Sequence, residues 1–148
     1  MISFLKLIRW KNLFLIALSQ ILVKYALIEP FGVVNFTLNT FSFCLLVTAT
    51  LLIAAAGYII NDIFDIETDT INKPTKVTVG RKISEKLAFS AYVTFTSIGV
   101  ILGFYVSNLI NQNTLSSIFV IVSVLLYLYA VQLKRTILVG NIIISILV

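Results

Sequence analysis

The sequence predicts an all-α, polytopic transmembrane helical bundle, and three observations carry that prediction. Of the 148 residues, 59% are hydrophobic and only 11% are charged, with a mean hydropathy of +1.07. Soluble domains are roughly 45–50% apolar and about 25% charged. Long unbroken apolar runs follow one another without the alternation of a membrane barrel, so helices must satisfy the backbone within lipid. Finally, ten of the eleven Lys and Arg residues fall in segments that would lie on one side of such a bundle.

Taken in order, Lys6, Arg9 and Lys11 precede the apolar run Leu13 to Ile28. A basic head before an apolar run is also how a secretory signal begins. Here no small-residue cleavage site follows, and the run exits through Ile28-Glu29-Pro30-Phe31-Gly32. A retained first helix is therefore expected over about residues 9–29, with Lys24 snorkelling to the far interface as an anchor. A short loop leads to a second helix over about residues 40–69, whose Ala54-Ala55-Ala56-Gly57 segment permits close packing. Thr70 to Lys86 is the longest polar stretch, punctuated by Pro74 and Gly80. A third helix is expected over about residues 84–107, with Ser84 as its N-cap. After a tight turn at Asn108 to Asn113, the fourth covers about residues 114–133 and ends at Lys134-Arg135.

The fifth apolar run, Ile137 to Val148, has 12 residues, whereas a span needs about 20. Residues 1–148 are thus expected to be the N-terminal part of one longer membrane domain, with helix 137–148 cut short. The basic residues put the N-terminus on the cytoplasmic side. The net charge of +5 then reflects topology, and nucleic acid is not an expected partner.

The chain has no His, and its single Cys, Cys44, lies within an apolar run. An intrachain disulfide, haem ligation and imidazole acid–base chemistry are thereby excluded from these residues. Any metal must be held by oxygen, which points to Mg²⁺ or a similar hard ion.

Four of the six acidic residues fall within Asn61-Asp62-Ile63-Phe64-Asp65-Ile66-Glu67-Thr68-Asp69, where the second apolar run ends. On a continuous helix Asp65 lies about 60° and Asp69 about 20° from Asp62, with Asn61 on the same face and Glu67 about 140° away. Clustered carboxylates repel, and the C-terminal end of a helix disfavours anions. A bound cation would relieve both; the alternative is a solvated acidic loop at the membrane surface. Asp62 to Asp69 spans about 10 Å along the axis, enough for metal ions on a diphosphate. Lys73, Lys76, Arg81, Lys134 and Arg135 are candidates to neutralise the remaining phosphate charge.

The pattern Asn61-Asp62-x-x-Asp65-x-x-x-Asp69 resembles the first aspartate-rich motif, N-D-x-x-D-x-x-x-D, of the UbiA-type intramembrane prenyltransferases. Its setting agrees: Asn72-Lys73-Pro74 and Gly80-Arg81-Lys82-Ile83-Ser84 follow it, and Arg9-Trp10-Lys11-Asn12 is similar to the family's Arg-Pro-x-Asn start of helix one. The likeness covers the whole chain but only about the first half of a nine-helix family member. It implies that Asp62, Asp65 and Asp69 are catalytic and metal-binding, holding Mg²⁺ and, with Asn61, the diphosphate of a prenyl donor. Asn12 and Tyr129 join the set as weaker substrate contacts. The resemblance also implies an integral membrane enzyme of a bacterial or archaeal plasma membrane.

The Arg-x-x-Asn start with Ala17-Leu18-Ser19-Gln20 looks closest to the branch that prenylates a geranylgeranylglyceryl-phosphate-type lipid acceptor. Prenylation of an aromatic quinone precursor is the competing acceptor chemistry. A cation-coupled carrier and a non-catalytic membrane scaffold are the readings from other classes. Two departures from the family stand out. No second aspartate motif occurs between residues 70 and 148, so residues 1–148 alone are expected to be inactive, and Lys73 and Lys76 stand where arginines are usual.

Overall fold

The computed structural model describes residues 2–31, 38–74, 77–132 and 145. A short helix α1 (Ile2–Leu7) leads into α2 (Trp10–Leu22), which continues through a π-helical turn (Val23–Ile28) and a 3-10 turn (Glu29–Phe31). Then come α3 (Thr40–Phe64), α4 (Ile66–Asn72), α5 (Glu85–Leu109) and, after a 3-10 turn at Asn113–Leu115, α6 (Ser116–Val131). Four segments are long and apolar enough to cross a membrane: Trp10–Ile28, Thr40–Phe64, Glu85–Leu109 and Asn113–Val131. These match the four expected spans to within a few residues at the N-terminal ends. The fifth expected helix, apart from Ser145, and with it Lys76, Lys134 and Arg135, lie outside the described residues.

Helix starts are set by local chemistry. Asn39 Oδ1 accepts the Ser42 backbone N–H at 2.8 Å, and Ser84 Oγ accepts that of Leu87 at 3.3 Å. Each cap satisfies one of the donors a helix leaves unpaired at its N-terminus. The predicted Ser84 cap is therefore observed.

Helix α3 is the central element, touching α2, α5 and α6, and its most extensive contact is with α5. Small residues permit that approach. Ala49, Ala55 and Ala56 of α3 are buried, and a Cβ on Gly99 would sit 2.7 Å from Ile53 Cγ1 and 3.2 Å from the Ala49 carbonyl oxygen. At Gly103 of α5, a Cβ would run into the Phe119 ring of α6. Without a hydrophobic drive between helices in lipid, such close backbone packing is what holds them together. Gly103→Val should therefore destabilise by about 1–3 kcal/mol, the usual penalty for overpacking. A drop of several degrees in the melting temperature in detergent is the expected readout.

The stretch from 70 to 86 is less simple than its polar composition suggests. Its first residues, Thr70 to Asn72, complete α4, and residues 77–83 fold into a turn in which the Gly80 N–H donates to the Ile83 carbonyl at 2.8 Å. Gly80 has φ 83°, where a side chain would be strained. Val79 and Ile83 bury themselves with Leu7, Ile59 and Ala88 in a small core that fastens both the turn and α1 to the end of α3. Lys24 is held more closely than an anchor requires. Its side chain is only 6% exposed, 3.8 Å from Glu29 and stacked over the rings of Tyr25 and Phe43. It is a packed and paired charge that leans toward Glu29, at the far end of the first span.

Candidate active site

The site is built where the start of α2 meets the end of α3. Arg9 adopts a left-handed conformation, φ 51° and ψ 54°, uncommon for a residue with a Cβ. It separates α1 from α2 and accepts the first backbone hydrogen bonds of α2, from Asn12 at 2.8 Å and Leu13 at 3.3 Å. From there its Nη2 reaches Asp62 Oδ1 at 3.2 Å, and its guanidinium carbon lies 4.9 Å from the centre of the Tyr58 ring. Three residues on, Asn12 Nδ2 donates to the Tyr58 hydroxyl at 3.4 Å. Advancing along α2 therefore means retreating along α3, and the two helices are antiparallel.

The acidic face survives with one correction. The expected single helix over 40–69 is kinked at Asp65 (φ −97°, ψ 1°), dividing α3 from α4. Backbone bonds nevertheless continue through the kink, from Asp65 N–H to the Asn61 carbonyl at 3.0 Å and from Asp69 N–H to the Asp65 carbonyl at 2.7 Å. Helical phase is thus kept, and Asp65 and Asp69 both lie near enough to repel the Asp62 carboxylate. Glu67 is exposed. Asn61 Nδ2 donates to Asp65 Oδ2 at 3.0 Å, while Asn61 Oδ1 is buried without a hydrogen-bond partner.

From this polar end a cavity of about 760 Å³ runs between α2, α3 and α6, within the range of ligand pockets. Arg9, Tyr58, Asn61 and Tyr129 line its mouth, and mainly aliphatic and aromatic side chains of the three helices line the rest. A charged mouth on an apolar chamber suits an amphiphile with an anionic head.

The residues present also fit a hard cation at that mouth. All donors are oxygens, and the orphaned Asn61 Oδ1 sits beside two carboxylates, where a buried acceptor without a donor is costly. Among the described residues, no three His, Cys, Asp or Glu side chains converge into a ready-made metal cage. That is the arrangement Mg²⁺ tolerates, since it takes one or two carboxylates and completes its shell with phosphate oxygens and water.

The sequence profile described as the UbiA prenyltransferase family matches residues 14–148. The chain belongs to that family. Among curated relatives, a digeranylgeranylglyceryl phosphate synthase of Methanosarcina mazei is 32% identical over 146 residues, covering 94% of this chain and 48% of the relative. The enzyme of the same name from Hyperthermus butylicus is 32% identical over 143 residues, covering 95% of this chain and 45% of the relative. That from Sulfurisphaera tokodaii is 40% identical over 94 residues, 63% of this chain and 32% of the relative. A solved structure described as a membrane digeranylgeranylglyceryl phosphate synthase superposes with a TM-score of 0.78 at 32% identity, covering 98% of this chain and 48% of that one. The chain thus spans about half the length, or less, of the relatives it matches.

Within this UbiA family member the predicted site residues divide into three groups. Asn61 and Asp65 are joined by a hydrogen bond, Asp62 beside them pairs with Arg9, and Asp69 lies one helical turn further on. Tyr129 lines the cavity, and Asn12 supports Tyr58. Lys73 ends α4 with an exposed side chain, and Arg81 is exposed and donates to the Pro74 carbonyl at 2.6 Å, which ties it to its own loop. Arg9 is the residue that sequence reasoning passed over. Its signal is the Arg-x-x-Asn pattern, which counts toward topology and the family resemblance but gives the arginine no site role by itself.

Proposed function

We propose that the full-length protein transfers a polyprenyl group from a prenyl diphosphate to a geranylgeranylglyceryl-phosphate-type lipid acceptor within the membrane, with Mg²⁺ as cofactor. The observation that carries this reading is a largely apolar cavity whose mouth residues Arg9 and Asn61 are hydrogen-bonded to Asp62 and Asp65. The names of the relatives favour this acceptor. By the positive-inside rule the mouth opens to the cytoplasm, as suits a water-borne diphosphate head, and the membrane would be the plasma membrane of a bacterial or archaeal cell.

Asp62, Asp65 and Asp69, with Asn61 Oδ1, would hold Mg²⁺. The ion supplies charge neutralisation to the departing diphosphate. Arg9 adds a fixed positive charge at the mouth, aimed where negative charge accumulates as the allylic C–O bond breaks. The cavity walls hold the isoprenoid and keep water from the allylic carbon. Asn12, through Tyr58, fixes the ring that flanks Arg9. Lys73 and Arg81, with Lys76, Lys134 and Arg135, would add diffuse positive charge around the diphosphate.

Purified full-length protein in detergent should convert labelled geranylgeranyl diphosphate and geranylgeranylglyceryl phosphate to a labelled diether lipid with Mg²⁺, and lose that activity in EDTA. Transfer to 4-hydroxybenzoate but not to the glyceryl phosphate would overturn the acceptor class. Transfer to neither would overturn the reading.

A further inference from the structure

The end of the cavity opposite the charged mouth holds polar groups that diphosphate binding does not use. Gln20 is the deepest residue of α2 on the cavity wall, with Ser19 beside it and Thr50 across on α3. Gln20 and Thr50 stand eleven residues from Arg9 and Asn61 respectively, so both lie about 16 Å from the mouth. Two antiparallel helices thus place their polar side chains at one level. The hydroxyl protons there are already committed. Ser19 Oγ donates to the Ile16 carbonyl at 2.8 Å, and Thr50 Oγ1 to the Leu46 carbonyl at 2.9 Å. Gln20 Oε1 is buried and receives no hydrogen bond. Past this level the wall is apolar again at Leu46 and Leu115.

An isoprenoid tail gains nothing from an amide. We propose that Gln20 and Thr50 form a polar collar that limits the length of prenyl chain the cavity accepts, an inference that rests on the prenyl-transfer reading. A tail that ends above the collar touches only apolar wall. A longer tail must push hydrocarbon against the Gln20 amide and deprive it of any other partner, and burying an unpaired amide is penalised. Gln20 therefore acts as a specificity-determining residue remote from the reacting carbon.

The test compares full-length wild-type, Gln20→Leu and Thr50→Val proteins. The probes are geranyl, farnesyl, geranylgeranyl and geranylfarnesyl diphosphates, read both by kcat/KM for transfer and by equilibrium binding in detergent. Leucine keeps the volume and removes the amide, so folding should be preserved. The expected result for Gln20→Leu is a gain of about tenfold for the longest donor relative to the shorter ones, the worth of one spared amide. Thr50→Val should shift the profile in the same direction by less. Chain-length profiles that are parallel in all three proteins would overturn the collar while leaving prenyl transfer standing. Failure of the wild type to bind or transfer any of the four would overturn prenyl transfer itself and the collar with it.

Discussion

Asp65→Ala in the full-length protein should cut prenyl transfer by about hundredfold or more, while the melting temperature changes little. The size follows from the loss of one preorganised electrostatic contact, worth about 10²–10³ in rate where charge develops. The small stability effect follows from position. Asp65 is half-buried at the kink between α3 and α4, and its side chain accepts a hydrogen bond from Asn61 at 3.0 Å, outside the apolar core. Glu67→Ala is the matched control. It removes the same charge from the same nine-residue motif, but from an exposed position on the opposite face, so activity should stay within a few-fold of wild type. Equal losses in the two variants would mean that bulk negative charge matters and the Asn61–Asp69 face does not.

The helical face behind that prediction was legible in the sequence, although one of its premises was wrong. The expected spacing assumed a straight helix through Asp69, and the structure kinks at Asp65. The face persists because hydrogen bonds four residues apart bridge the kink and preserve the phase. The transmembrane spans were legible because apolar length is a one-dimensional property. The turn at 77–83 was hidden because the five basic residues in and around it dominate the composition, while three aliphatic side chains, Val77, Val79 and Ile83, do the anchoring.

The same limit explains Arg9, whose loss should have the second large effect. The acidic face was expected to need a cation, and within the described residues the protein supplies one at Asp62. Pairing across 53 residues cannot be read from composition, because it depends on α2 and α3 lying antiparallel. Arg9→Ala should raise the KM for prenyl diphosphate by about tenfold or more, since a charge-assisted hydrogen bond is worth roughly 1.5–3 kcal/mol. Stability should fall by no more than about 1 kcal/mol, because the pair is partly solvated, with side chains 45% and 25% exposed. Arg9→Lys should recover only part of the affinity: an ammonium keeps the charge but cannot serve Asp62 and a phosphate through a planar fork. With Arg9 removed, Asp62 loses its protein cation, so Mg²⁺ added without diphosphate should stabilise the Arg9→Ala protein more than the wild type. A thermal titration with Mg²⁺ alone measures that difference. An unchanged donor KM together with a large drop in melting temperature would make Arg9 a structural clasp between α2 and α3. A raised KM with a nearly unchanged melting temperature would make it the group that hands the acidic face from protein cation to metal–diphosphate.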